Sequence, residues 1–89
     1  MPNASPAFDA DSPVVARRQA FGRRLRALRT GLGRTQADIA AEAGMDRAFY
    51  VNVEGGRNNI SLDKIFSLAD VLGVDVAELF RGLNSSTDT

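Results

Sequence analysis

Residues Thr35 to Glu54 read TQADIAAEAGMDRAFYVNVE, and this stretch decides the fold. It opens on Thr35-Gln-Ala-Asp38, a variant of the capping box that starts helices, and continues with small apolar residues. Gly44 suits the left-handed conformation that ends a helix, and two residues later Asp46 can cap the next helix. The stretch therefore predicts two short helices joined by a three-residue turn, with the second helix running to Glu54.

Three further helices are predicted around this pair. The first begins at Ser12-Pro13 and is ended by Gly31 and Gly33, because serine caps helices and proline suits their first position. The fourth begins after Ser61 and ends at Gly73, and Asp75-Val-Ala-Glu78 is a capping pattern for a short fifth helix. Since no strand pattern is present, the predicted fold class is all-α, a compact bundle of five helices.

The chain has 89 residues, which supports one domain. We expect residues 1–11 to form a flexible arm, residues 12–83 to form the domain, and the polar residues 84–89 to form a flexible tail. No apolar run approaches the roughly 20 residues of a membrane span, and no signal peptide is recognised. These features predict a cytoplasmic protein.

Composition argues against several classes of function. The chain has no cysteine, which excludes disulfides and thiolate metal sites, and no histidine, the usual general base and commonest metal ligand. We therefore expect no metal, no cofactor, no small-molecule ligand and no catalysis.

The net charge is zero, but the charges are unevenly distributed. The segment from Arg17 to Arg57 contains nine arginines and four carboxylates, whereas the rest of the chain contains two basic and seven acidic residues. A basic half of this kind can face phosphates, although ordinary mixed surface charge is the alternative.

The stretch from Arg34 to Leu62 resembles the Cro/lambda-repressor-like family of helix-turn-helix regulators, also called the xenobiotic-response-element family. The resemblance covers about Ala20 to Phe80. Within the family, the sequence is similar to restriction-modification controller proteins, which share the Asp46-Arg-Ala-Phe49 start of the recognition helix. The resemblance implies a regulator of transcription that binds specific DNA sequences through the second helix of the pair.

The resemblance also implies two sets of DNA-contacting residues. Those directed at bases lie on the recognition helix and are Arg47, Ala48, Phe49 and Asn52. Those directed at phosphate flank the two helices and are Thr35, Gln36, Arg57, Asn58 and Asn59. Arg34 departs from the family, which commonly has an apolar residue at this position, and we expect its long side chain to reach phosphate as well. The alternatives are that Gln36 is a solvated helix residue, that Arg47 pairs with nearby carboxylates, and that Ala48 only favours helix formation.

Other residues are given structural roles by the resemblance. Arg29 and Glu54 are expected to form an ion pair in the scaffold. Tyr50 is expected in the core with its hydroxyl bound to a partner, which leaves Phe49 exposed toward DNA. The opposite assignment of the two aromatic residues stays open.

Helix-turn-helix proteins commonly bind two half-sites of a palindrome as dimers, and the C-terminal helix is apolar enough to form an interface. The predicted dimer residues are Val76, Leu79, Phe80 and Leu83; the alternative is that Leu79 and Phe80 only close the core. A second functional class also remains, an antitoxin or other protein-binding module that would use the arm around Phe8.

Overall fold

The protein is described by a computed structural model over residues 12–83. In this range it forms five α-helices and no strand, which confirms the predicted fold class. The helices are α1 (Pro13–Gly31), α2 (Gln36–Glu42), α3 (Arg47–Glu54), α4 (Leu62–Leu72) and α5 (Val76–Leu79). The predicted arm, including Phe8, and the predicted tail lie outside the described residues.

The helix starts follow the predicted capping residues with one exception. Ser12, Thr35, Ser61 and Asp75 each accept a hydrogen bond from a backbone N–H in the first turn that follows. Asp46 occupies the cap position of α3 with extended backbone, but its side chain makes no capping hydrogen bond. The prediction for its carboxylate is therefore wrong, and α3 begins with the backbone bond from Tyr50 N–H to Asp46 C=O.

In the core, α3 packs against α1 and α2, α4 packs against α2 and α5, and α5 also contacts α1. Fully buried side chains come from every helix, and the largest are Tyr50, Leu25, Ile39, Leu68, Leu79 and Val53. Two charged residues, Arg29 and Glu54, are also buried. Helix α3 thus has a fixed inner face, which determines which of its side chains point outward.

A glycine in α1 sets how closely this helix approaches α3. A Cβ atom added at Gly22 would lie 2.2 Å from the carbonyl oxygen of Glu54 and 2.7 Å from that of Val53. Any side chain at this position would therefore push the two backbones apart. Gly22 therefore allows the backbone of α1 to pack directly against the last turn of α3.

None of the helices within residues 12–83 is both long and apolar enough to span a membrane.

Candidate nucleic-acid interface

The turn between α2 and α3 has the predicted geometry. Gly44 has a positive φ of 70°, and the N–H of Met45 donates to the carbonyl of Ala40 over 2.8 Å. Met45 and Ala40 are both buried, and the small alanine side chain lets the two helices pack closely. The turn therefore holds α3 at a fixed angle across α2.

The outward face of α3 brings several predicted base-contacting residues together. Tyr50, Val53 and Glu54 are buried, and at 100° per residue Ala48 and Asn52 lie opposite them. Arg47, Ala48, Val51 and Asn52 line one shallow cleft with Gln36 of α2. Val51 was not singled out in the sequence, although it lies three and four residues from Ala48 and Arg47, the spacing of one helix face.

Arg29 and Glu54 are paired through two hydrogen bonds. Arg29 Nε donates to Glu54 Oε2 over 2.7 Å and Nη2 donates to Oε1 over 3.1 Å. The Tyr50 hydroxyl also donates to Glu54 Oε2, and Arg29 Nη1 donates to the carbonyl of Arg34 over 2.9 Å. Tyr50 thus lies in the core with a hydroxyl partner, and this cluster joins α1, α3 and the segment before α2.

The ionisation of this cluster follows from its contacts. Burial raises the pKa of Glu54, but hydrogen bonds from Arg29, Tyr50 and Gln36 outweigh it and hold that pKa below its ordinary value. Burial and the hydrogen bond to Glu54 raise the pKa of Tyr50 well above its ordinary value. The cluster therefore contains a carboxylate, a guanidinium and a neutral phenol at neutral pH.

Gln36, at the start of α2, hydrogen-bonds to Glu54 of the buried cluster and also lines the outward cleft. Its Nε2 donates to Glu54 Oε1 over 3.0 Å. An amide nitrogen has two N–H donors, and within residues 12–83 only this bond from Gln36 Nε2 is formed. One donor is therefore left for a phosphate.

Two predicted phosphate-binding residues, Arg34 and Thr35, form contacts with other residues of the protein. The Arg34 guanidinium pairs with Glu42 and lies 3.8 Å from Asp38 Oδ2. Thr35 uses its hydroxyl and its N–H in the capping box with Asp38. Carboxylates of α2 thus pair with the Arg34 guanidinium, whereas the Thr35 hydroxyl only accepts the N–H of Asp38. Phosphate binding by these two residues stays a prediction.

The loop after α3 holds the remaining predicted phosphate ligands. Arg57 is exposed and forms no ion pair with another residue of the described range. Its N–H donates to the carbonyl of Asn52 over 2.9 Å, which ties the loop to α3. Asn58 is half-buried, and Asn59 Oδ1 accepts the N–H of Ile60 over 2.8 Å. The loop therefore presents one free guanidinium beside the recognition helix.

Phe49 is half-buried and packs against the core, so it is less exposed than expected, and its contact with DNA stays a prediction. The ring lies on the side of α3 that faces α4, and the ammonium of Lys64 lies 5.7 Å from its centroid. Lys64 was not singled out in the sequence because it lies outside the basic segment.

The predicted dimer residues divide between core and surface. Leu79 is fully buried, so it closes the core and cannot contact a second copy, which corrects that prediction. Phe80 is 43% exposed with its ring 5.6 Å from that of Phe21, and Val76 and Leu83 are half-buried. Leu62 and Phe66 of α4 are more exposed than Phe80.

Among residues 12–83, no group of three or more acidic side chains is arranged to hold a metal ion.

Residues 20–81 match the protein family described as "Helix-turn-helix domain". The control protein C.MunI of Mycoplasma sp. is 36% identical over 66 residues, which cover 71% of this chain and 86% of that protein. The crystal structure of the restriction-modification controller protein C.AhdI of Aeromonas hydrophila is 43% identical with a TM-score of 0.70, and the match covers 71% of this chain and 96% of that one.

The clp gene regulator ClgR of C. glutamicum is also similar in structure, with a TM-score of 0.72 at 27% identity, over 79% of this chain and 91% of that one. The comparisons confirm the predicted family and the similarity to controller proteins, and they support a DNA-binding regulator of transcription. They point to regulatory proteins and not to enzymes. Because the family match spans most of the described residues and includes α2 and α3, the chain belongs to the helix-turn-helix domain family.

Proposed function

We propose that this protein regulates transcription by binding as a homodimer to a palindromic DNA operator, and that it serves as the controller of a restriction-modification system. The observation that carries the proposal is the outward face of α3. There Arg47, Ala48 and Asn52 share one cleft with Gln36. A rigid helix with such a face fits the major groove of DNA.

The chemistry of this face suits base recognition. Arginine can donate two parallel hydrogen bonds to guanine O6 and N7, and asparagine can pair with the N6 and N7 edge of adenine. Arg47 is exposed and Asn52 is half-buried beside it. Ala48, also exposed, offers a methyl group to the methyl of thymine. These three residues would distinguish one operator from another.

Phosphate binding is assigned to residues that keep a free donor. Gln36 has one N–H left at the start of α2, and Arg57 presents its guanidinium in the loop that follows α3. The amides of Asn58 and Asn59 lie beside Arg57 in the same loop. Such contacts position a protein on DNA without reading its sequence.

Exposed apolar side chains near the C-terminal end favour a dimer. Leu62 and Phe66 of α4 are 62% and 46% exposed, and Phe80 follows α5. Val76 and Leu83 are half-buried. We expect a second copy to cover apolar side chains of this kind. Pairing would place two recognition helices on half-sites about 34–36 Å apart. The chain is similar to the control protein C.MunI and to the restriction-modification controller protein C.AhdI, and this similarity supports the controller role.

Selection of bound sequences from random DNA by the purified protein tests the proposal. We expect a palindrome whose half-site centres lie about 10 base pairs apart, one turn of the double helix. Arg23→Gln is the matched control for charge, since Arg23 is exposed on α1 opposite the residues that α1 buries. This variant should select the same palindrome. Failure to enrich any sequence at low salt would contradict the proposal.

A further inference from the structure

A single cation on α4 lies beside the recognition helix. The Nζ atom of Lys64 is 5.7 Å from the centroid of the Phe49 ring. Phe49 is half-buried against the core, so α3 fixes the position of the ring. Lys64 is exposed and forms no ion pair with any residue of the range 12–83. The ring is thus within cation–π distance of the ammonium, and no carboxylate of the described range neutralises this charge.

The position of Phe49 on α3 shows on which side of the recognition helix the Lys64 ammonium lies. Ala48 and Asn52 lie at the centre of the outward face, at 100° per residue. Arg47 lies to one side of them, in the cleft that it shares with Gln36 of α2. Phe49 lies to the opposite side, toward α4. The two sides of α3 therefore have different polar neighbours.

A helix in the major groove has a phosphate backbone on each side of it. The α2 side of the recognition helix supplies Gln36. On the α4 side, Phe49 and Lys64 line a second shallow cleft with Asn59, Ile60 and Ser61. This cleft combines a cation, an amide and a hydroxyl, which are groups that bind phosphate oxygens.

We propose that Lys64 binds a DNA phosphate on the α4 side of the recognition helix, and that Phe49 is a positioning residue that holds the ammonium there. The inference rests on the proposed DNA-binding function. An ammonium has three N–H donors, so it can contact the ring with one side and a phosphate with the other. A side chain already restrained by the ring loses less freedom when it binds.

The salt dependence of DNA binding tests the role of Lys64. Each phosphate contact contributes about 0.9 to the slope of log K against log salt. Because the proposed dimer contains two copies of Lys64, we expect Lys64→Gln to reduce the magnitude of the slope by about twice this amount, about 1.8. The affinity advantage of the wild type over Lys64→Gln should then shrink about 12-fold between 50 and 200 mM salt. Arg23→Gln, which removes an exposed charge on the outer side of α1, should keep the wild-type slope.

The outcomes separate this inference from the proposed function. If the wild type binds no DNA, the proposed function fails and the inference fails with it. If the wild type binds and Lys64→Gln keeps the full slope, only the inference fails. An equal loss of slope in Arg23→Gln would also overturn it, because total charge and not the position of Lys64 would then explain the effect.

Lys64 is the only lysine of the chain, so its amine can be followed directly. We expect bound DNA to slow the modification of Lys64 by an amine-reactive reagent several-fold, measured by mass spectrometry of the peptide that contains it. Unchanged modification in the presence of saturating DNA would contradict the proposed contact.

The positioning role of Phe49 needs a test that a change in folding alone would not satisfy. Phe49→Leu keeps an apolar side chain but removes the ring, so the ring-current shift of the Lys64 side-chain protons should disappear. The substitution should weaken DNA binding in the wild type and have a smaller effect in the Lys64→Gln background, since the two residues act together. Equal losses in both backgrounds would overturn the positioning role.

Discussion

The side-chain nitrogen of Gln36 lies 3.0 Å from Glu54 Oε1, so the first residue of α2 is bound to the last residue of α3. The same carboxylate binds Arg29 of α1 and the hydroxyl of Tyr50. One buried carboxylate therefore joins three helices on the side of α3 away from the outward face. This hydrogen bond fixes the side chain at the start of α2 against the end of α3.

Removal of this carboxylate should lower the free energy of unfolding strongly. In Glu54→Ala the buried guanidinium of Arg29 loses its partner, and breaking a buried pair from one side costs about 3–5 kcal/mol. Urea denaturation would measure the loss in the free energy of unfolding. The matched control is Glu42→Ala, which breaks the more exposed pair with Arg34 and should cost less than about 1 kcal/mol. Equal effects in the two variants would contradict the structural role of Glu54.

The stability of the fold should fall in acid, partly because of Glu54. Its pKa is lowered in the folded protein, so the unfolded state binds more protons at low pH. Its contribution is present above the unfolded pKa, near the ordinary value of 4.5, and is lost as pH falls through the folded pKa. Urea denaturation at several pH values across this range should show that the free energy of unfolding falls less steeply with acidification in Glu54→Gln than in the wild type. If the free energy of unfolding falls equally in both proteins, the acid sensitivity would be assigned to Asp38 and Glu78, whose pKa values are also lowered by hydrogen bonds.

The close approach of α1 to α3 should not tolerate a methyl group. Gly22→Ala places a Cβ atom 2.2 Å from the backbone oxygen of Glu54, and we expect a loss of about 1–3 kcal/mol in the free energy of unfolding. Gly31→Ala is the matched control in the same helix, since a Cβ atom there meets nothing within 4 Å. It should be neutral or stabilising by up to about 1 kcal/mol. Thermal unfolding of the two variants would compare them.

Arg47 and Gln36 should have different effects on DNA binding. Arg47→Ala should relax the preference at one base position and cost about 1–3 kcal/mol on the selected operator. Gln36→Ala should weaken binding similarly on all sequences, because its free donor serves phosphate. Competition assays with single-base variants of the operator would separate the two patterns. An unchanged base preference in Arg47→Ala would place the readout on other residues of α3.

Self-association should depend on the exposed apolar residues of α4. Phe66→Gln removes a ring that is 46% exposed, so it should weaken the dimer without a large change in unfolding. Val14→Gln replaces an apolar residue of similar exposure (53%) on α1 and should leave the dimer intact. Sedimentation velocity over a range of concentrations would measure both. A dimer unaffected by Phe66→Gln would exclude this surface as the interface.

The sequence by itself determined the helices and the turn between α2 and α3. Serine and threonine caps, a glycine in the left-handed region and apolar spacing act over a few residues, so they can be recognised without the fold. The capping box of Thr35 and Asp38 and the positive φ of Gly44 were predicted in this way.

Only the tertiary structure decided which side chains remain available. Arg34 and Arg57 look alike in the sequence, but Arg34 is neutralised by Asp38 and Glu42, whereas Arg57 has no ion-pair partner in the described range. Leu79 and Phe80 are neighbours, yet one is fully buried and the other is exposed. Ion pairing and burial depend on distances between segments that are far apart along the chain, and helix packing sets those distances. For the same reason the sequence showed no relation between Phe49 and Lys64, which are brought together only by the packing of the helices.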